Sequence, residues 1–529
     1  MLLVSAFGYA QEDAWVYFTD KPDTDSYLAS PLTMLSQRAL DRRAAQGIAV
    51  DQTDVPIHQA YIDQIAALGT VQVLAKSKWL NAIHVRGSQP DVSSLGNLSF
   101  VDHVQFADTS LNEAGKPRPQ RANATSKTLE TAEDFPYGNS ANQIGMLSGE
   151  YVHQQGYTGS DKIIAVLDAG FPGVDVAQPF QRLRDNNKIL GGYNFVDRIE
   201  NVYTRSSHGT MVLSTMGGYT VDQLVGTAPD ASYYLFITED APQENPVEES
   251  YWVEAAEMAD SLGVDVINTS LGYFGYDNPN YSYTYENMDG QTSFIARGAD
   301  IAFSRGMVVV VSAGNSGNSA DPFISTPADA ANVLTVGAVN ASAEYASFSS
   351  IGPTADGRVK PDVMAQGQAA VISNPSGEIQ TASGTSFSGP IMAGMVASLW
   401  QGFPQLTNAQ VVQVIKESSS FYANPTDEMG YGIPNFFDAM ELAVLSVDNA
   451  AAAKFVVFPN PALNFVSVSV PESISEAQLT FFNTLGQIVA RQKVDAQQHT
   501  VNIENLANGL YLYKITSGNS TQTGKLIKG

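Results

Sequence analysis

The apolar positions of this chain change their period several times, and each change marks a boundary. Over residues 11–106 short runs at Trp15–Phe18, Val71–Ala75, Leu80–Val85 and Phe100–Phe106 predict strands. Between them Ser30-Pro31 opens a helix running to Gly47, because serine caps a helix and proline suits its first turn. Ile57–Leu68 reads as a second helix and Asp91–Leu95 as a weak third. Strands and helices in this order predict a small α+β sandwich. Residues 107–142 lose apolar periodicity, and Asn112, Gly115, Pro117, Pro119 and Asn123 make an exposed linker. Such a linker is where a protease would cut.

Residues 143–445 read as βα repeats. Lys162–Leu167, Ser232–Ile237, Val264–Asn268, Met307–Val311 and Val333–Val339 are nearly continuous apolar runs. Val247–Leu262, ended by Gly263, and Gln291–Arg305, ended by Gly306, have helical period. Apolar strands alternating with helices predict an α/β domain whose parallel sheet is wrapped on both faces. Ligands bind such sheets beyond the carboxyl ends of the strands. Residues 446–454 are an alanine-rich linker. From 455 to 529 only short strands follow, at Phe465–Val470, Gln478–Phe482, Gln487–Arg491, Thr500–Ile503 and Leu510–Ile515. They predict a small antiparallel β-sandwich.

Composition narrows the functions. The 529 residues carry 54 acidic against 28 basic side chains, a formal net charge of −26. That disfavours nucleic acid and anionic membrane surfaces as partners. There is no cysteine, so thiol nucleophiles, disulfides and cysteine-ligated metals are excluded, and each of the six histidines gains weight. Residues 1–10, Met1 to Ala10, read as the end of a secretory signal, though without a basic segment. No stretch approaches the roughly 18 apolar residues of a membrane span.

Four polar residues stand at the edges of apolar runs. Asp168 follows Ile163-Ile164-Ala165-Val166-Leu167; His208 lies in Ser207-His208-Gly209-Thr210; Asn315 follows the Val308–Val311 run. Ser386 lies in Gly384-Thr385-Ser386-Phe387-Ser388-Gly389-Pro390, ahead of a helix predicted over Ile391–Trp400 with Pro390 in its first turn. Singly, each has a bland reading: a helix cap for Asp168 or Ser386, a core histidine, a turn asparagine. Together, in the order Asp…His…Ser, they can form a nucleophile, a base and an orienting acid. Asn315 and the Ser386 backbone N–H can then hold an oxyanion.

These four stretches, in this order, resemble the catalytic domain of the subtilisin-like serine peptidases (peptidase S8), with Ala169 where that family often has Thr or Ser. The resemblance implies a secreted serine endopeptidase that needs no cofactor for its chemistry and acts on protein or peptide substrates. Ser270, Leu271 and Gly272 would line the primary pocket and pair with the substrate backbone, with Ser312, Ala313 and Gly314 as the facing wall. Small residues there suggest an open pocket suited to large apolar side chains. Residues 11–106 resemble the inhibitory propeptides of these enzymes, in a ferredoxin-like order, with maturation cleavage in the linker. Residues 455–529 resemble the sorting domain of type IX secretion in Bacteroidetes, through Phe458-Pro459-Asn460-Pro461, Leu485-Gly486-Gln487, Leu506–Tyr511 and the basic Lys525–Lys528 end. That implies partnership with the secretion machinery, passage through the periplasm, and a secreted or cell-surface location.

Glu239, Asp240, Glu244, Glu248 and Glu249 precede or open the Val247 helix. They read either as a solvated acidic loop, the better supported reading, or as a lure for basic substrate residues upstream of the cut. Asp277-Asn278-Pro279-Asn280 could supply oxygen ligands to a structural calcium ion, without diagnostic spacing. Two rival functions use the same residues less well: a catalytically silent adhesion or binding protein on this fold, and an esterase, which would need an acyl pocket that the chain does not announce.

Overall fold

The computed structural model describes residues 11–112 and 135–451, and most of 456–529. The leader at 1–10 and the middle of the linker, 113–134, lie outside the described residues, as do Pro459–Pro461 and Leu485-Gly486 of the C-terminal motifs. Residues up to Ala443 form one compact unit and those from Val444 a second.

The first unit begins with four antiparallel strands, β1 (Gln11–Phe18), β2 (Val71–Ser77), β3 (Ala82–Ser88) and β4 (Val101–Phe106), in the order β2-β3-β1-β4. Helices α1 (Gln37–Ala45), α2 (Gln59–Ala67) and α3 (Gln89–Ser94) complete the expected ferredoxin-like order. The single helix expected from Pro31 to Gly47 is broken. A short turn covers Pro31–Thr33, and α1 restarts after Ser36, whose hydroxyl accepts from the Ala39 N–H at 3.2 Å. The break has a tertiary cause: the Ser36 N–H donates to the Ser261 carbonyl at 2.8 Å.

Seven parallel strands form the central sheet: β5 (Ile163–Asp168), β6 (Ile189–Asn194), β7 (Ser232–Ile237), β8 (Val266–Thr269), β9 (Val308–Ser312), β10 (Leu334–Val339) and β11 (Val363–Gln366). Their order is β11-β10-β9-β8-β5-β7-β6. Every residue of β5, β8, β9, β10 and β11 is buried, as a sheet covered on both faces requires. Helices α4 (His208–Gly217), α5 (Val247–Leu262), α6 (Phe294–Ser304) and α7 (Thr385–Gly402) cover it.

The N-terminal sheet sits on α5 and α6. Trp15 stacks on Phe294 at 5.1 Å and donates its indole N–H to Ser250 at 2.9 Å. The Glu257 carboxylate accepts from the Ser77 hydroxyl and from the backbone N–H groups of Lys78 and Trp79. Arg42 and Arg43, both buried, reach Asp260 at 2.5 and 2.6 Å, and Arg43 also grips Asp54. Helix α1 therefore looks polar in sequence because its charges are spent on another domain.

The domain limits shift accordingly. Residues 107–112 stay with the first sheet, since the Ala107 N–H donates to the Asp13 carbonyl at 2.8 Å and the Asn112 side chain bonds both backbone groups of Phe106. Residues 135–142 belong to the central domain, where Ser140 exchanges hydrogen bonds with Val225. The expected linker 446–454 is helical at its start: a helix spans Phe436–Ala451, as its alanine content allows.

The second unit is a β-sandwich. Val456–Phe458, Phe465–Ser469 and Thr500–Asn502 form one sheet; Ile488–Val494, Ala477–Phe482, Gly509–Ser517 and Ser520–Lys528 form the other. Val466, Val468, Leu479, Phe481, Ile515 and Leu526 share its core. The first and last of these seven strands were not legible as strands, the last because its polar and basic residues mask the alternation.

Candidate active site

The carboxyl ends of β5, β8 and β9 and the first turns of α4 and α7 meet at one cleft of about 530 Å³. His208, Asn315 and Ser386 line it together with Ser270, Leu271, Gly272, Ser312 and Gly314. Asp168 lies behind His208. The four residues expected from widely separated motifs are thus brought together.

Asp168 is the last residue of β5 and fully buried. Its Oδ1 accepts from the His208 ring at Nδ1, 2.8 Å away, and from the Ala169 N–H at 2.7 Å. Its Oδ2 has no hydrogen-bond partner among the described residues. His208 opens α4, and Gly209 is what allows the close approach: a Cβ there would lie 3.0 Å from the Asp168 Cβ and 2.6 Å from the Gly170 carbonyl oxygen. Burial pushes the imidazole's pKa down, but the Asp168 charge and hydrogen bond outweigh it, and the net shift is upward. With Nδ1 engaged as donor, Nε2 is left as the basic nitrogen on the cleft side.

Ser386 is the second residue of α7, so its N–H belongs to the unpaired donors of a helix start. The helix starts six residues earlier than Ile391, and Pro390 is not in its first turn but inside it. The reason is a contact distant in sequence. A residue at position 390 would donate to the carbonyl of Ser386, and proline cannot. That carbonyl instead accepts from the Ser270 hydroxyl at 3.0 Å, while the Thr385 carbonyl accepts from Ser312 at 2.7 Å. No direct hydrogen bond joins Ser386 Oγ to His208 among the described residues; such bonds often tighten only with substrate in place.

Asn315 is oriented by Thr385. Its Oδ1 accepts from the Thr385 N–H at 2.9 Å and hydroxyl at 3.1 Å, which leaves Nδ2 to donate elsewhere. Gly314 is left-handed, at φ +104°, and only glycine fits: a Cβ would lie 2.8 Å from Ser350 Oγ and 3.3 Å from Ser325 Oγ. Ser325 also approaches Gly272 closely, so this hydroxyl lies between the two expected pocket walls. Ser325 thus adds a polar group to the expected pocket lining. Ala313 does not line the cleft. It is fully buried, its N–H donating to the Val336 carbonyl at 3.0 Å. Ser325 and Phe274 were not singled out from sequence. They lack a motif of their own, and only folding brings them to the cleft, whereas Thr385 lies in the Ser386 motif but carries no role legible from it.

The acidic segment is only partly a solvated loop: Glu244 is exposed, but Glu239, Glu248 and Glu249 are buried, and Asp240 pairs with Arg205 at 2.6 Å. Glu249 accepts from the hydroxyls of Tyr276 and Tyr283 and from the Ile295 N–H. Glu239, Glu244 and Glu248 bring carboxylate oxygens within 4.8 Å of one another, and Glu239 and Glu244 line the cleft. In the Asp277–Asn280 loop, the Asn278 side chain accepts from the Asn280 N–H at 3.2 Å, and no group of converging carboxylates forms there among the described residues.

Residues 159–432 match the model of the subtilase family, residues 13–126 that of the Bacteroidota peptidase S8 propeptide domain, and residues 456–529 that of a secretion system C-terminal sorting domain. The chain is 33% identical over 298 residues to subtilisin NAT of Bacillus subtilis subsp. natto, which covers 56% of this chain and 68% of that protein. It is 33% identical over 307 residues to a subtilisin of Bacillus pumilus, covering 58% of this chain and 98% of that one. Among solved structures, the epidermin leader peptide processing serine protease (EpiP) of Staphylococcus aureus has the same fold, with a TM-score of 0.54, 14% identity, and coverage of 81% of this chain and 98% of that one.

Proposed function

The chain belongs to the subtilase family of serine endopeptidases, and from that premise we propose that it hydrolyses peptide bonds through an acyl-enzyme on Ser386. The observation that carries the assignment is the Asp168–His208 hydrogen bond opening onto the cleft that Ser386 and Asn315 share. His208 Nε2 takes the Ser386 proton as Oγ attacks the scissile carbonyl carbon, and Asp168 stabilises the imidazolium. The carbonyl oxygen, now negative, is held by the Asn315 Nδ2 donor and the Ser386 N–H. The proton passes from His208 to the departing amine. Water, deprotonated by His208, then attacks the ester and returns Oγ to its starting state.

A fluorophosphonate probe tests this: it should label Ser386 in the processed protein, and absence of labelling there defeats the reading. A silent adhesion protein would show that absence. No observation favours it, or an esterase.

The flanking parts extend the proposal. Residues 11–112 would cover the catalytic domain until the linker is cut, supported by the propeptide match and by the buried Arg42, Arg43 and Asp260 contacts. Residues 456–529 would address the protein to type IX secretion and then be removed. The sorting-domain match indicates a secreted or cell-surface protein, and no helix among the described residues is long and apolar enough to cross a membrane. Mass spectrometry of the secreted protein tests both: an N-terminus still near Gln11, or a retained Gly529, would overturn them. A Ser386→Ala form that matured normally would assign the maturation cut to another protease. A structural calcium ion is compatible with the subtilisin match; in the Asp277–Asn280 loop the Asn278 side chain accepts from the Asn280 N–H, and no group of converging carboxylates forms there among the described residues.

A further inference from the structure

Glu239 follows β7, which lies one strand beyond β5 and two beyond β8 in the sheet. Strands are spaced about 4.8 Å apart, so Glu239 stands on the order of 10 Å from the Ser270–Gly272 wall. An extended peptide covers that distance in roughly three residues. The acidic end of the cleft is therefore a different subsite from the primary pocket, though continuous with it.

Glu239 is more than nine-tenths buried. Its Oε1 accepts from the Tyr273 hydroxyl, and its Oε2 makes no hydrogen bond among the described residues. Glu248, behind it, has both oxygens occupied by the backbone N–H groups of Asp240 and Asn245. None of Glu239, Glu244 and Glu248 forms an ion pair among the described residues, although their oxygens converge within 4.8 Å. Burial, and then repulsion from Glu248, push the Glu239 carboxyl well above its usual range. Burial likewise pushes Glu248 up to about 8. A positive side chain entering here would relieve both effects. Leu271 and Phe274 line the same cleft and can take up an apolar stem.

The chain itself supplies such side chains. Where the N-terminal domain ends, Thr109–Leu111 packs on the turn Pro279–Tyr281. The same loop is tied to the acidic segment, with the Asp277 N–H donating to the Glu244 carbonyl at 3.1 Å. The sequence that follows is Gly115-Lys116-Pro117-Arg118-Pro119-Gln120-Arg121, a basic run in a chain of 54 acidic and 28 basic residues.

We propose that Glu239 and Glu244, backed by Glu248, form a subsite for a lysine or arginine side chain upstream of the scissile bond, first occupied by the linker residues Lys116, Arg118 or Arg121. This rests on the peptidase reading above. A hard cation is the lesser alternative. Calcium takes about six to eight oxygens, and two of the six carboxylate oxygens here are already committed to N–H donors.

The test compares peptides that differ only in arginine against citrulline, its neutral isostere, at positions two to four before the cut. Mature wild-type protein should show kcat/KM higher by about tenfold for arginine at one of these positions, the equivalent of about 1.4 kcal/mol. The Glu239→Gln/Glu244→Gln variant should lose that ratio, and Glu239→Asp should keep most of it. Fluorophosphonate labelling of each sample separates the two readings. Unlabelled wild type defeats the peptidase reading. Labelled, active wild type with no arginine preference, or a labelled double variant that retains it, overturns the subsite. A preference lost with EDTA and restored by calcium would assign the carboxylates to the metal and also overturn it. In the full-length chain, changing Lys116, Arg118 and Arg121 together to glutamine should slow maturation, and an unchanged rate would overturn the linker assignment.

Discussion

The Ser270 hydroxyl donates to the Ser386 carbonyl oxygen at 3.0 Å, so the expected substrate-binding wall and the nucleophile's backbone are directly bonded. Pro390 makes this bond necessary, because it denies that carbonyl its helical donor. Ser270→Ala should therefore do more than reshape a pocket. It leaves a carbonyl under-satisfied, at a cost of about 1–3 kcal/mol. The expected outcome is a lower melting temperature together with a lower kcat, read by calorimetry and by peptide hydrolysis. A variant with only KM altered would show that Ser270 acts on substrate alone.

Asp168 holds His208 through a single oxygen, Oδ2 having no partner among the described residues. Asp168→Asn should lower kcat by about 10⁴ with little change in KM. The net rise in the His208 pKa sets the pH profile. Only neutral imidazole can accept the Ser386 proton, so activity is lost as pH falls through that pKa. Because the shift is upward, the acid limb of kcat/KM should lie above the ordinary value of about 6.5. In the residual activity of Asp168→Asn the limb should move to lower pH. A limb below 6.5 in the wild type would contradict the assigned base.

Asn315 has its Oδ1 fixed by Thr385, so its Nδ2 orientation is set before substrate arrives. Asn315→Ala should lower kcat by about 10²–10³ while leaving KM within a few-fold. Thr385→Val, which removes one of the two orienting donors, should give a smaller loss of the same kind.

Asp260 is fully buried between Arg42 and Arg43 of the N-terminal domain. Asp260→Ala leaves the buried Arg42 guanidinium without its carboxylate, while Arg43 keeps Asp54, and breaking such a buried pair costs about 3–5 kcal/mol. After the linker is cut, the N-terminal fragment should then separate from the catalytic domain on size exclusion, whereas in wild type the two should co-elute. Continued co-elution in the variant would show that the Trp15–Phe294 and Glu257 contacts suffice.

The strands of the central sheet were legible because each is buried on both faces and so carries an unbroken apolar run. Asp168 was legible for the same reason, as the one charge ending such a run. The order of motifs around His208, Asn315 and Ser386 was enough to name them together. Other features were hidden by contacts distant in sequence. The helix at Pro31–Gly47 breaks at Ser36 because its N–H finds Ser261. Helix α7 runs on upstream of Pro390 because Ser270 takes the Ser386 carbonyl that Pro390 leaves without a donor. Ala313, read as a wall, is turned into the core, and Ser325, which no motif marks, stands between the walls.

By itself the sequence determined the chemistry: which residues can act as nucleophile, base, acid and oxyanion donor, on which class of sheet, and with which flanking domains. That information is local, since it lies in residue type and in the ends of apolar runs. Only the tertiary structure decided what surrounds the chemistry. It showed that Glu239, Glu248 and Glu249 of the acidic segment are buried while Glu244 stays exposed, and that Ser325 stands between the expected pocket walls. Burial, pairing and charge cost depend on neighbours hundreds of residues away, and no local pattern encodes them.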